Sequence, residues 1–448
     1  MINFNNKRTT AVVYPCGICN LNCRYCTIDK NPALLTIDQA LAESFEGDYY
    51  FNRIKEYFPR RDQLKSLETW GGEPFLHMER VYPLVHKLIK YYPYFYRMHS
   101  STNFSFDNWI DKFIGLMNCF AAYPYRKFEY ELQLSVDGPT EINDANRGEG
   151  VTDKCIKNFN KLIDIIKQDK FPDNVNLVVV LKGTWDIGTF DKLNSEEKII
   201  EFFQFYEEKY INKLADLNRP NIIPQCSIPN VAMPSPITQH DGKVFAEIVR
   251  HCREIEQKNE VFHYFKHYTT ITPFAATDTF NNEFFGEMAH CGSGKSMVGF
   301  LPNNMISVCH EGFTLLADQY KNYAAKRDDK NLSVTLNKFF ELEPTPMCLT
   351  DDEYIEHERR MQYINSISTA QCVNAVTLII ALAMAGLIES QYLNEDKALF
   401  AAKYILNNTS FCIKANYATL GTFVLQDTSN YILFLNGALK YLTIKGEN

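Results

Sequence analysis

Cysteines crowd one short stretch of this chain, Cys16-Gly-Ile-Cys19-Asn-Leu-Asn-Cys23-Arg-Tyr-Cys26. Cys19, Cys23 and Cys26 offer three thiolates from a single loop, enough to wrap one face of a cubane iron–sulfur cluster, for which thiolates are the usual ligands. A cubane has four irons, so three ligands leave one iron open to a substrate or cofactor. An open coordination position is also what separates a catalytic zinc from a structural one. The alternative is a four-ligand set that includes Cys16, giving zinc or a closed cluster. Cys16-x2-Cys19 and Cys23-x2-Cys26 satisfy that count, but the two pairs stand close together for a zinc-ribbon loop.

Two more motifs offer ligand chemistry. In Trp70-Gly71-Gly72-Glu73-Pro74-Phe75 the glycines allow a close backbone approach, and Glu73 provides an acceptor for a cationic amino group. The plain alternative is a strand-ending turn, since Gly-Gly and Glu-Pro are common punctuation. In Ser135-Val-Asp137-Gly-Pro, Ser135 and Asp137 are two residues apart, so on a strand both point to one side. Ser and Asp suit ribose hydroxyls, and Arg147 downstream suits a carboxylate. Asp137-Gly-Pro is equally compatible with an ordinary turn.

The elements that must position these groups follow from hydrophobic periodicity. Candidate strands cover residues 10–14, 65–70, 95–102, 128–136, 176–181 and 221–226, with helical patterns at 78–92, 108–121, 153–168 and 195–213. Six strand-then-helix units predict a parallel sheet with right-handed crossovers. Six falls short of the eight that close a full barrel, so the expected fold class is α/β, an open partial (β/α)6 TIM-like barrel. The barrel is assigned to residues 1–230 and an irregular connector to 231–285. A small α+β unit follows at 286–375 and a mainly helical region at 376–448. The motif residues fall at strand ends, where ligand sites of parallel α/β folds gather.

Composition narrows the class. The chain has 448 residues, 46% hydrophobic and 22% charged, ordinary for globular domains with large cores. Its formal charge of −8 argues against a nucleic-acid partner. Residues 2–10 are polar and no apolar run is long enough to span a bilayer, so a cytoplasmic protein with no membrane association is expected. Thirteen cysteines in such a chain point to reduced thiols serving metal chemistry rather than disulfides. Cys119, Cys155, Cys226 and Cys252 read as core residues. Cys226 closes the sixth candidate strand, where a thiol facing the barrel mouth can donate a hydrogen atom.

Cys19-x3-Cys23-x2-Cys26 after the first strand, with Tyr25 before the third cysteine, resembles the signature of the radical S-adenosylmethionine superfamily. The resemblance implies a [4Fe–4S] cluster whose open iron is chelated by the amino and carboxylate groups of S-adenosylmethionine, with Tyr25 beside the adenine. Gly71-Gly72-Glu73-Pro74 is similar to the family's motif that holds the cofactor's amino group. Ser135-x-Asp137-Gly-Pro with Asp144-x2-Arg147 resembles the pattern of sulfatase-maturase-like and peptide-modifying members, with Asn143 where a histidine is usual. The segment from Cys291 to Cys309, a hairpin with a Pro-Asn-Asn turn, is similar to the start of the SPASM or twitch auxiliary domain. That implies one auxiliary [4Fe–4S] cluster held by Cys291, Cys309, Cys348 and Cys372. The alternative keeps the hairpin as scaffold and these thiols as buried apolar residues.

The implied activity is reductive cleavage of S-adenosylmethionine and hydrogen-atom abstraction from a peptide or protein substrate, ending in a crosslink, epimerisation or oxidation. A flavodoxin- or ferredoxin-type protein would supply the electron. The first strand begins near residue 10, so no N-terminal peptide-recognition domain is expected. The competing readings are a radical dehydrogenase of a small sugar or alcohol, and an electron-transfer protein without radical chemistry.

Overall fold

The computed structural model describes residues 8–26, 33–185, 187–226, 230–231, 297–302 and 306–307. The six expected strands all form: β1 (Thr10–Cys16), β2 (Ser66–Gly71), β3 (Arg97–Thr102), β4 (Phe128–Ser135), β5 (Val175–Lys182) and, beyond the short β6 (Thr184–Trp185), β7 (Ile222–Cys226). They lie side by side in the order β1-β2-β3-β4-β5-β7, all parallel. Helices connect them: α1 (Ala33–Phe45) and α2 (Tyr49–Tyr57), a 3-10 helix (Pro74–Val81) running into α3 (Tyr82–Tyr91), and α4 (Trp109–Ala121). Then come α5 (Thr140–Arg147), α6 (Val151–Lys167), α7 (Ile187–Lys192), α8 (Glu196–Tyr206) and α9 (Asn212–Ala215). The result is the partial (β/α)6 barrel that the periodicity predicts. The stretch expected as one helix over 195–213 is α8 and α9 joined through a π-helical turn at Glu207–Ile211.

Helix faces show why these residues fold this way. α4 buries Trp109, Ile110, Phe113, Leu116, Met117 and Phe120, an apolar stripe at helical spacing, and Trp109 stacks on Phe113 at 5.6 Å. α6 buries Cys155, Phe159, Leu162, Ile163 and Ile166 in the same manner. In β4 burial alternates: Phe128, Tyr130, Leu132 and Leu134 are buried, while Glu129, Glu131, Gln133 and Ser135 are partly exposed. The partly exposed face is polar across strands. Glu68, His99 and Glu131 share one register row. His99 Nε2 lies 3.8 Å from Glu131, and the Trp70 indole N–H donates to Glu68 at 3.0 Å.

One element joins the sheet from far along the chain. β9 (Met297–Phe300) pairs parallel with β1, Thr10 opposite Met297, as a seventh parallel strand, and β10 (Ile306–Ser307) pairs antiparallel with β9. The hairpin expected between Cys291 and Cys309 therefore extends the barrel sheet. A separate pair, β6 with β8 (Asn230–Val231), lies beyond the strand ends. Most of the connector, most of the α+β unit and the whole helical region expected at 376–448 lie outside the described residues.

Candidate functional site

The cysteine loop leaves the C-terminal end of β1 and is fixed first at its start. The Gly17 N–H donates to Asp38 Oδ1 of α1 at 2.8 Å, and Arg80 grips both Asp38 oxygens at 3.0 and 3.1 Å while donating to the Pro15 carbonyl at 2.8 Å. Cys16 is fully buried, and its thiol donates to the Ile18 carbonyl at 3.2 Å. Burial, with Asp38 adding, pushes that thiol far above its ordinary range, so it is kept protonated. Its sulfur groups with Asp38 and His77, whose ligating atoms all lie within 4.8 Å of one another. Arg80 already neutralises that carboxylate, and a guanidinium there opposes a metal cation. Cys16 thus spends its thiol hydrogen on a carbonyl of its own loop. Cys19 and Cys23 are partly exposed and Cys26 is exposed.

The Gly-Gly-Glu-Pro turn docks directly on this loop. The Gly72 N–H donates to the Cys16 carbonyl at 3.0 Å, and the Glu73 N–H to the Ile18 carbonyl at 2.8 Å. Gly71 has φ +135°, and a Cβ on it would stand 2.2 Å from the Cys16 oxygen; one on Gly72 would stand 2.2 Å from the Ile18 oxygen. Only glycines permit this backbone approach, and the partner they approach is the cysteine loop itself. Pro74 follows as the first residue of the 3-10 helix, where its missing N–H costs nothing.

Glu73 caps that helix and is 2% exposed. Its carboxylate accepts from the Phe75 N–H at 3.1 Å, the Thr102 hydroxyl at 2.6 Å and the Asn103 N–H at 2.7 Å. Burial pushes its carboxyl up to about 7 even against these three donors. Asn103 in turn donates through its amide to Cys19 Sγ at 3.5 Å and to Asn20 at 2.9 Å. One asparagine thus links the buried acid to the first thiol. Phe104 beside it adopts φ 38°, which turns the chain sharply after β3.

The end of β4 holds the other side of the loop. Asp137 is fully buried and accepts from the Tyr25 hydroxyl at 2.7 Å and from Arg147 through Nε at 2.9 Å and Nη2 at 2.7 Å. The Thr184 N–H adds a further bond at 2.7 Å. The Arg147 guanidinium lies over the Tyr25 ring, 5.6 Å from its centre. Burial works against the Arg147 charge, yet Asp137 outweighs it and holds the group above its ordinary value. Asn143, at the position where the resembled pattern has histidine, is fully buried. It accepts from the Asp137 N–H at 2.9 Å and donates to the Thr152 hydroxyl at 3.0 Å, acting as a strut. Ser135 sits partly exposed at the last position of β4, in register with Lys182.

The structure therefore gathers Cys19, Cys23, Cys26, Tyr25, Gly71, Gly72, Glu73, Pro74, Ser135, Asp137 and Arg147 at the C-terminal rim of the barrel. Cys226 is registered opposite Leu181, and its neighbour Gln225 opposite Val180. Cys291, Cys309, Cys348 and Cys372 lie outside the described residues. Asp38, Asn103 and Asn146 belong to the site and carry no motif.

No family profile matches the chain, and no curated protein is similar to it. Solved structures are similar in shape. One described as native anSMEcpe with bound AdoMet and Kp18Cys peptide has 13% identity and a TM-score of 0.45, with 89% of this chain and 100% of that chain covered. Streptococcus suis SuiB bound to S-adenosylmethionine has 15% identity and a TM-score of 0.41, covering 76% and 67%. Native anSMEcpe with bound AdoMet has 14% identity and a TM-score of 0.39, covering 67% and 74%.

Proposed function

We propose that this chain is a radical S-adenosylmethionine enzyme whose open cluster is held by Cys19, Cys23 and Cys26. The observation that carries this reading is the link from Glu73 through Asn103 to Cys19. It sets a buried carboxylate beside a loop of accessible thiols at a parallel-sheet rim. The donor set fits the group: three cysteines are partly exposed or exposed, while the fourth is buried, protonated and bonded to the Ile18 carbonyl. Glu73 also fits an ammonium ligand. A carboxylate has about four acceptor positions, and three are occupied by protein donors, leaving capacity for one more N–H.

When bound, the cluster and S-adenosylmethionine would supply reductive carbon–sulfur cleavage and the hydrogen-abstracting carbon radical; that chemistry is the cofactor's. The chain's residues bind and orient. Glu73 accepts from the cofactor's amino group, Gly71 and Gly72 hold its turn against the loop, and Ser135 meets a ribose hydroxyl at the rim. Tyr25 gives the adenine an aromatic neighbour. The substrate is a peptide or protein side chain, supported by the Ser135-x-Asp137-Gly-Pro…Arg147 pattern. The reductant is a flavodoxin- or ferredoxin-type protein. An auxiliary cluster at Cys291, Cys309, Cys348 and Cys372 belongs to the same reading, since Cys291 and Cys309 bracket the β9–β10 hairpin in sequence.

Anaerobic reconstitution with iron and sulfide, followed by reduction with S-adenosylmethionine, tests it. The parent should yield 5′-deoxyadenosine, the Cys19, Cys23 and Cys26 triple alanine variant none, and Cys16→Ala should retain the product. Iron content should be about eight per chain in the parent and about four in the triple variant, as two cubanes require. Product formation by the triple variant would sink the proposal, and a triple variant without iron would remove the auxiliary cluster.

A further inference from the structure

We infer that Asp137 and Arg147 are positioning residues that template the Cys23–Cys26 turn, rather than contacts for a cofactor. This rests on the proposed role of the cysteine loop. The first argument is saturation. A carboxylate offers about four acceptor positions. Asp137 Oδ1 accepts from Arg147 Nη2 and the Thr184 N–H, and Oδ2 from Arg147 Nε and the Tyr25 hydroxyl. No position remains for a ribose hydroxyl. Asp137 also lies beyond the end of β4, fully buried, whereas Ser135 at the strand's last position is partly exposed. The two residues thus differ in burial, and strand alternation does not extend to Asp137.

The second argument is where the bonds go. Between Cys23 and Cys26 stand only Arg24 and Tyr25, and both are held by the last turn of α5. The Arg24 N–H donates to the Asn146 carbonyl at 2.8 Å and its guanidinium to Asn146 Oδ1 at 2.9 Å. Tyr25 is held by Asp137 through its hydroxyl and by Arg147 over its ring. The turn itself is closed by the Cys26 N–H donating to the Cys23 carbonyl at 3.0 Å. Consecutive residues of the loop are thus paired with consecutive residues of a helix end, which fixes the direction in which the chain passes from Cys23 to Cys26.

The helix end is itself rigid. Asp144 accepts from the Gly150 N–H, the Thr152 N–H and the Thr152 hydroxyl at 2.8, 2.8 and 2.6 Å, which locks α5 to the start of α6. Asn146 donates to the Thr189 hydroxyl at 3.2 Å. A template that is rigid before any ligand arrives reduces the ordering that ligation must impose.

Hydrogen exchange on the iron-free full chain tests this independently of the cluster. Asp137→Asn should speed exchange of the Arg24 and Cys26 amides by about ten- to a hundredfold, as loss of a charge-assisted bond implies. The Gly72 and Glu73 amides should keep their parental rates. Iron loading of the loop should slow in parallel. Tyr25→Phe should loosen the same amides less, and Arg147→Lys should restore part of the protection that Arg147→Ala removes. If Asp137→Asn unfolds the chain, Tyr25→Phe decides alone. Parental exchange at residues 24–26 in these variants, together with lost S-adenosylmethionine binding, would overturn the inference and make Asp137 a ligand contact. A parent that binds no iron at the loop, but whose loop loosens in Asp137→Asn, would refute the enzyme reading and leave the template standing.

Discussion

Glu73 and Asp137 are both buried carboxylates just past strand ends of one sheet, and both help hold the cysteine loop, yet they are built differently. Glu73 receives three neutral donors, and burial raises its carboxyl to about 7. Asp137 receives four bonds, two of them from a guanidinium that cancels its charge on the spot. One carboxylate is short of a cation and the other already has one. Burial alone therefore does not mark a ligand-binding acid. The unfilled requirement does, because an unpaired buried charge is costly and an incoming ammonium relieves it.

The comparison breaks most visibly at the satisfied acid. Arg147→Ala leaves Asp137 buried and uncompensated, and breaking such a pair by removing one partner costs about 3–5 kcal/mol. Chemical denaturation should show a loss of that size. A loss under about 1 kcal/mol, the range of exposed pairs, would mean that the Asp137–Arg147 pair is not buried as described.

At the unsatisfied acid the effect moves from stability to binding. Glu73→Gln removes the charge offered to an ammonium, a charge-assisted bond worth about 1.5–3 kcal/mol. S-adenosylmethionine affinity should fall by about one to two orders of magnitude with iron content unchanged, measurable by calorimetry on reconstituted protein. Unchanged affinity would make the Gly-Gly-Glu-Pro turn purely structural.

The smallest effect sharpens the contrast through pH. Glu73 is raised from an ordinary 4.5 to about 7 in the folded chain. The protonated form is the one the empty fold prefers. Its stabilising contribution is complete below about pH 4.5 and is lost as pH rises through about 7. Binding runs the opposite way: the ammonium ligand needs the carboxylate, so affinity should weaken by up to about tenfold per unit as pH drops below about 7. Binding isotherms across that range should show the dependence in the parent and a flat profile in Glu73→Gln. A flat parent profile would mean that Glu73 does not bind the ammonium.

Much of this was legible in the sequence. All six barrel strands formed within a few residues of where alternation and apolar runs placed them, because period two and helical spacing are local properties. The glycines at 71 and 72 were legible as a close approach, though not the partner approached. Asn103 was not legible, since its role comes from the turn at Phe104 and from bonds to Glu73 and Cys19, residues 30 and 84 positions away. Asp38 sits mid-helix in α1 and gains its meaning only from Arg80, 42 positions on. Strand alternation groups Asp137 with Ser135, but β4 ends at Ser135, and past a strand end the period of two no longer sets direction. The parallel pairing of β9 with β1 joins residues 287 positions apart, Thr10 with Met297, and nothing in Met-Val-Gly-Phe announces its partner.

That last pairing limits how the molecule can be cut. β9 covers the side of β1 that β2 does not, and the covered strand carries Ala11, Val12, Val13 and Tyr14, all fully buried. A shortened chain stopping before residue 297 would bare the backbone donors and acceptors of an apolar strand at the middle of the present sheet. An exposed, apolar strand edge is a template for pairing with other chains. The barrel is thus not a detachable module, and truncation after β7 should give self-association rather than a simpler soluble core.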